Sequence, residues 1–76
     1  MSKKDLKYIT TVNRNDANWE IYTQRDGEFI DIWIKKENFG IMDYVIGVFY
    51  TKDWRDVTAG AIMDAIDATE GDPRYE

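Results

Sequence analysis

Cysteine and histidine are both absent from this 76-residue chain, and serine occurs once, at Ser2. Without cysteine no disulfide can form. Without either residue the soft ligands of zinc, copper and iron–sulfur sites are missing. Ser-His-Asp and Cys-His nucleophile arrangements cannot be assembled either. There is no phosphate-binding glycine loop and no dinucleotide fingerprint. Paired carboxylates remain as acid–base groups, but that chemistry needs a cleft, and a chain this short rarely encloses one. Asp64, Asp67, Glu70 and Asp72 lack the alternating spacing and central glycine of a calcium loop. The sequence therefore predicts a non-enzymatic protein with no cofactor and no metal.

Long apolar runs are missing as well. The longest, residues 44–50, is interrupted by Gly47 and falls well short of the roughly 18 residues of a membrane span. Lys3 and Lys4 are not followed by an apolar stretch, so no secretory leader is expected. Together with the lack of cysteine, this points to a cytoplasmic protein. The length allows one small domain, 1–76, burying about 60% of the surface its unfolded chain exposes. Packing must hold it together. Three Trp, five Tyr and three Phe make that feasible, since each buries roughly 150–250 Å².

The net charge is −5, unevenly spread. Residues 1–36 hold seven Lys/Arg and six Asp/Glu, a net of +1. Residues 37–76 hold three and nine, a net of −6. Such a surface repels nucleic-acid phosphates and favours encounters with basic partners. Direct nucleic-acid binding is not expected.

The residue pattern reads as α+β, an antiparallel sheet of three to four strands with one C-terminal helix packed on one face. Residues 6–12 (LKYITTV) are β-branched and aromatic and read as a strand. Ser2 followed by Asp5 offers a short N-terminal helix as the alternative. Residues 13–18 (NRNDAN) form a polar turn cluster. The strongest local signal is 17–35, two strand-like runs flanking Asp26-Gly27, a preferred dipeptide of tight hairpins. A two-residue turn there sets Arg25 opposite Glu28, Thr23 opposite Ile30, Ile21 opposite Ile32 and Trp19 opposite Ile34. Alternation with period two then makes one face an aliphatic core. The other face pairs Gln24 with Phe29, Tyr22 with Asp31, and Glu20 with Trp33. Residues 36–40 (KENFG) read as a turn. Residues 44–51 read as the next strand, with Tyr44, Ile46 and Val48 on the aliphatic face and Val45, Gly47 and Phe49 on the mixed face, or the reverse if the register slips by one residue.

The helix falls within 53–70, with Thr51, Asp53, Asp56 and Thr58 as possible N-caps. Val57, Ala61, Ala65, Ile62 and Ile66 give an apolar stripe. Gly71 and Pro73 mark its end, and 71–76 reads as a short acidic tail.

Two surfaces are candidate binding sites. Asp53, Asp56, Asp64, Asp67 and Glu70 line the helix opposite its apolar stripe, with Arg55 the single base of the segment. A one-signed carboxylate array can stand in for nucleic-acid phosphates. Tyr22, Phe29 and Trp33, with Phe49 beside them, lie on a sheet face that a single helix cannot cover, and aromatics beside charge match the composition of binding hot spots. In size, acidity and lack of cysteine the chain is similar to small phage- and mobile-element-encoded inhibitors such as anti-CRISPR and anti-restriction proteins. That likeness implies an inhibitor or regulator, of DNA-mimic type, acting on a basic nucleic-acid-handling protein. The alternative is a homo-oligomeric structural or accessory protein joined, as a homodimer for example, through the aromatic sheet face.

Overall fold

The computed structural model describes residues 5–75. Four strands, β1 (Lys7–Arg14), β2 (Ala17–Asp26), β3 (Phe29–Lys36) and β4 (Met42–Phe49), precede one helix, α1 (Trp54–Asp67), and a short 3₁₀ turn (Pro73–Tyr75). The strands form one antiparallel sheet in sequence order, β1-β2-β3-β4. This is the expected α+β fold, with the helix packed on one face and lying nearest β4. Residues 5 and 6 lead into β1 without helix; Ser2 lies outside the described residues.

Each hairpin has its own turn chemistry. Asn15 and Asp16 join β1 to β2 with φ of 56° and 62°. Two left-handed residues in succession give the twist that a two-residue hairpin needs, and Asn and Asp tolerate that region better than other side chains. Between β2 and β3 the turn is Gly27-Glu28, flanked by the pair Asp26 and Phe29. Gly27 has φ +62°, and Glu28 does not share that left-handed conformation. Glycine thus occupies the first central position of the turn and not the second, because the turn lies one residue later in the chain than an Asp26-Gly27 turn. The partners shift by two accordingly: Thr23 faces Ile32, Ile21 faces Ile34 and Tyr22 faces Trp33. A shift of two conserves the face of every side chain, so the two faces are populated as the sequence implied.

β4 departs from the expected register. A β-bulge between Ile32 and Trp33 of the pairing leaves Val45 unopposed and sets Tyr44 opposite Trp33. Tyr44 therefore lies on the mixed face, and Val45 turns to the core, reversing their expected sides. One extra residue in a strand has that effect on everything beyond it.

The core consists of Trp19, Ile21, Ile30, Ile32 and Ile34 from the sheet, Ile62 and Ile66 from α1, and Tyr75. Burying such side chains contributes about 1.5–3 kcal/mol each. The buried helix residues are Thr58, Ile62 and Ile66, while Val57 is exposed. Ile62 and Ile66 of the expected stripe face inward and Ala65 packs against the core, but at the start of the helix Thr58 and not Val57 is buried. Thr58 is accommodated because its hydroxyl donates to the carbonyls of Trp54 (2.9 Å) and Arg55 (3.3 Å), which satisfies a buried polar group within its own helix.

Residues 71–75 are not a tail. After Gly71 the chain folds back on the sheet, and Tyr75 packs its ring 5.5 Å from those of both Trp19 and Phe39. Arg74 donates to both carboxylate oxygens of Asp43, at 2.9 Å each, and also holds Asp72. The Tyr75 hydroxyl donates to Asp43 at 2.7 Å. Glu76 lies outside the described residues.

Candidate functional site: the uncovered sheet face

The helix occupies one side of the sheet only. The opposite side carries a row of rings across all four strands, Tyr8, Tyr22, Trp33 and Tyr44, in pairwise register. Tyr8 meets Tyr22 edge-on at 5.8 Å, and Trp33 meets Tyr44 edge-on at 5.1 Å. Toward the Gly27 turn, Phe29 stacks on Phe49 at 4.7 Å. Tyr8, Phe29, Tyr44 and Phe49 are 52, 48, 56 and 60% exposed. Tyr22 and Trp33, on the two central strands, are half-buried by these neighbours. These are large apolar surfaces facing water on one continuous face.

Acids are set among the rings. Glu20 accepts from the Tyr22 hydroxyl at 2.7 Å and lies 3.8 Å from the Lys35 ammonium. That hydrogen bond to Glu20 is the main reason the Tyr22 phenol is pushed up. Asp31 sits opposite Gly47, between the Phe29–Phe49 pair and the Trp33–Tyr44 pair. It accepts from the Tyr44 hydroxyl at 3.3 Å. Partial burial, then the neighbouring Asp31 charge, pushes the Tyr44 phenol up. A Cβ on Gly47 would stand 2.5 Å from Asp31 Oδ1 and 2.8 Å from the Tyr44 hydroxyl. The absence of a side chain at 47 is therefore what lets the Asp31 carboxylate lie across β4.

The helix acids are arranged differently. Asp53, Asp56, Asp64, Asp67 and Glu70 are all exposed. Asp67 is not available as a free charge: Arg14 donates to its two oxygens at 2.8 and 2.9 Å, and Asn15 adds a third bond at 3.0 Å. Those bonds hold its carboxyl down at about 2. Asp53 stands at the N-cap position but accepts from Thr51 at 2.6 Å instead of capping the helix. The row expected to act as one array is thus interrupted at its Asp67 end by a base from β1.

Sequence reasoning finds Tyr22, Phe29 and Trp33, and the structure brings them onto one face with Phe49. It misses Tyr8 and Tyr44. Tyr44 is hidden by the bulge. Tyr8 has a signal, since period two from Thr10 and Val12 places it with them, but the bulge between Tyr8 and Thr10 reverses that too.

Concavities lie elsewhere, among them one of about 270 Å³ beside Thr23, Arg25, Ile30 and Tyr50. A second, of about 160 Å³, runs between β1 and α1, lined by Ile9, Val12, Ile21, Trp54, Thr58 and Ile62. Another of about 220 Å³ lies near the chain's end, beside Trp19, Lys36, Glu70 and Tyr75. Among the described residues no three acids converge to hold a metal ion, and no helix is long and apolar enough to cross a membrane.

Comparison of the chain with protein-family models, with curated proteins and with solved structures gave no match.

Proposed function

We propose that this chain is a non-enzymatic protein-binding protein that docks a basic partner through the uncovered aromatic face of its sheet. The observation that carries this reading is the exposure of Tyr8, Phe29, Tyr44 and Phe49 on one face, each residue about half exposed to solvent. Contiguous exposed aromatic surface of this kind marks interaction sites, and aromatic side chains dominate interface energetics. The net charge of −5 supports a basic partner. Exposed Asp53, Asp56, Asp64 and Glu70 supply long-range attraction on the opposite side of the molecule, which acts on encounter more than on the bound state. The likeness in size and charge to phage-encoded inhibitors extends the proposal to its finer form, an anti-CRISPR-like or DNA-mimic-like regulator of a nucleic-acid-handling protein in the cytoplasm.

Capture from a host lysate tests this with three baits: wild type, Phe29→Ser/Phe49→Ser, and Asp56→Asn/Asp64→Asn. A basic protein retained by wild type and by the helix variant, but lost by the sheet variant, is the expected result. Retention by the sheet variant and loss by the helix variant would move the site to the acidic helix.

A further inference from the structure

We infer that the uncovered face is built to seat an arginine side chain of its partner over Asp31, between the two aromatic pairs. The inference rests on the docking reading above and names the chemistry of the contact. Asp31 is flanked along β3 by Phe29 and Trp33, and along β4 the matching positions are Phe49 and Tyr44. Rings two residues away on either side stand roughly 7 Å from the carboxylate row. A cation entering there meets one carboxylate and the faces or edges of several rings at once.

No described cation is paired with Asp31, and most of them are held elsewhere. Among the described residues, Arg14 is held by Asp67, Arg74 by Asp43 and Asp72, and Lys35 by Glu20. Arg25 stacks over Tyr50 at 3.7 Å, Arg55 over Trp54 at 4.8 Å, and Lys36 lies over Trp19, Phe39 and Tyr75. Every one of those cation–ring contacts involves a ring outside the open face. Asp31 has the Tyr44 hydroxyl, and no described cation pairs with it. Among the described residues, the open face therefore presents rings and an Asp31 carboxylate that no cation pairs with.

Charge complementarity selects the occupant. Glu20, Asp26 and Asp31 lie on this face with Lys35 as the base among them. A second copy stacked face to face would oppose acids to acids, which costs energy at an interface. A single-stranded nucleic acid would find rings to stack on, but its phosphates would be repelled. An arginine is attracted by the carboxylate and stacks its planar guanidinium on aromatic faces, a combination lysine matches less well.

The test is an NMR titration of the full chain with acetyl-Gly-Arg-Gly-amide, its lysine analogue and a seven-nucleotide oligothymidylate. The arginine peptide should give saturable shifts at the Trp33 indole N–H and the Gly47 amide. Asp31→Asn should weaken it about tenfold, the loss of one charge-assisted contact. Gly47→Ala, whose Cβ displaces the Asp31 carboxylate, should weaken it as well, while Asp56→Asn/Asp64→Asn should stay within about twofold. Circular dichroism of each variant establishes that the fold is retained. The inference is overturned if Asp31→Asn titrates like wild type, if the shifts map to α1, if the oligothymidylate is preferred at the same face, or if wild type shows the same shifts on concentration alone. Failure of the peptide with the Phe29→Ser/Phe49→Ser bait still losing its protein would remove the arginine seat and leave the docking reading intact. Retention of that protein by the bait would remove the docking reading itself.

Discussion

Arg14 and Asp67 are joined by two parallel hydrogen bonds of 2.8 and 2.9 Å across 53 residues of sequence. The pair ties edge strand β1 to the last turn of α1, where no basic residue of the helix itself offsets the dipole. Its consequence is a defined acid limb. Hydrogen bonding from Arg14, then Asn15, holds the Asp67 carboxyl at about 2, below its ordinary 3.8. A carboxyl depressed by folding contributes stability above its unfolded value and loses that contribution as pH falls through its folded one. The Asp67 contribution should therefore disappear between about pH 4 and pH 2. Asp43, lowered chiefly by the Arg74 hydrogen bonds, works in the same direction. Urea midpoints of Asp67→Asn should be lower than wild type at pH 6 and converge with it toward pH 2.

Tyr75 sets the alkaline limb. Burial, then its hydrogen bond to Asp43, pushes the phenol up to about 12 from an ordinary 10. A group whose value folding raises contributes stability that is complete below the unfolded value and is lost as pH climbs through the folded one. Wild type should therefore lose stability between about pH 10 and pH 12. Tyr75→Phe keeps the ring beside Trp19 and Phe39 but cannot ionise. Its stability should fall less steeply over that window, measured by urea denaturation at pH 9, 10 and 11.

The inward phase of α1 is open to a paired substitution. Thr58 is fully buried and Val57 is 56% exposed. Thr58→Ala should cost more than Val57→Ala, about 1–3 kcal/mol against a change within about 0.5 kcal/mol. Ile32→Ala, at a fully buried sheet position, should cost about 2–5 kcal/mol. Equal effects at 57 and 58 would place the helix a residue out of the phase described.

The β2–β3 turn depends on Gly27, which has φ +62° and open space around the direction a Cβ would take. Gly27→Ala should therefore destabilise by about 1–2 kcal/mol through backbone strain alone, with no steric clash added. Glu28→Ala, at the second central position, should be nearly neutral. Asp26→Gly, measured with them by thermal unfolding, separates this turn from one centred on Asp26 and Gly27: it should destabilise here, where residue 26 is extended strand, and would relieve strain if residue 26 were left-handed.

What can be read from the sequence follows the range of the interactions involved. The two faces of β2 and β3 are legible because alternation survives a register shift of two residues. The turn itself is not, since Asp26-Gly27 is a strong local signal that the chain does not use in that frame. Tyr44 and Val45 exchange sides because a bulge depends on how β4 meets β3, and nothing local to 44–45 announces it. The helix and its Ile62–Ile66 side are legible, but not the residue that faces inward at its start: Val57 is more apolar than Thr58, yet Thr58 can satisfy its hydroxyl within the helix and enter the core. The acidic look of 71–76 conceals Tyr75, whose place is fixed by Trp19, Phe39 and Asp43. The exposure of the acidic row is legible from its spacing, while the neutralisation of Asp67 by Arg14 lies beyond any local pattern.

The docking account stands or falls on which side of the molecule a partner covers. Solvent paramagnetic relaxation of side-chain protons, recorded with a soluble gadolinium chelate for the free chain and for its complex with the captured protein, measures this directly. In the free chain, ring protons of Phe29, Tyr44 and Phe49 should relax strongly and methyl protons of Ile32 and Ile66 weakly. In the complex the three rings should become protected while Val57 and Ala59 on α1 stay exposed. Protection of α1 with the rings still relaxing freely would contradict the account.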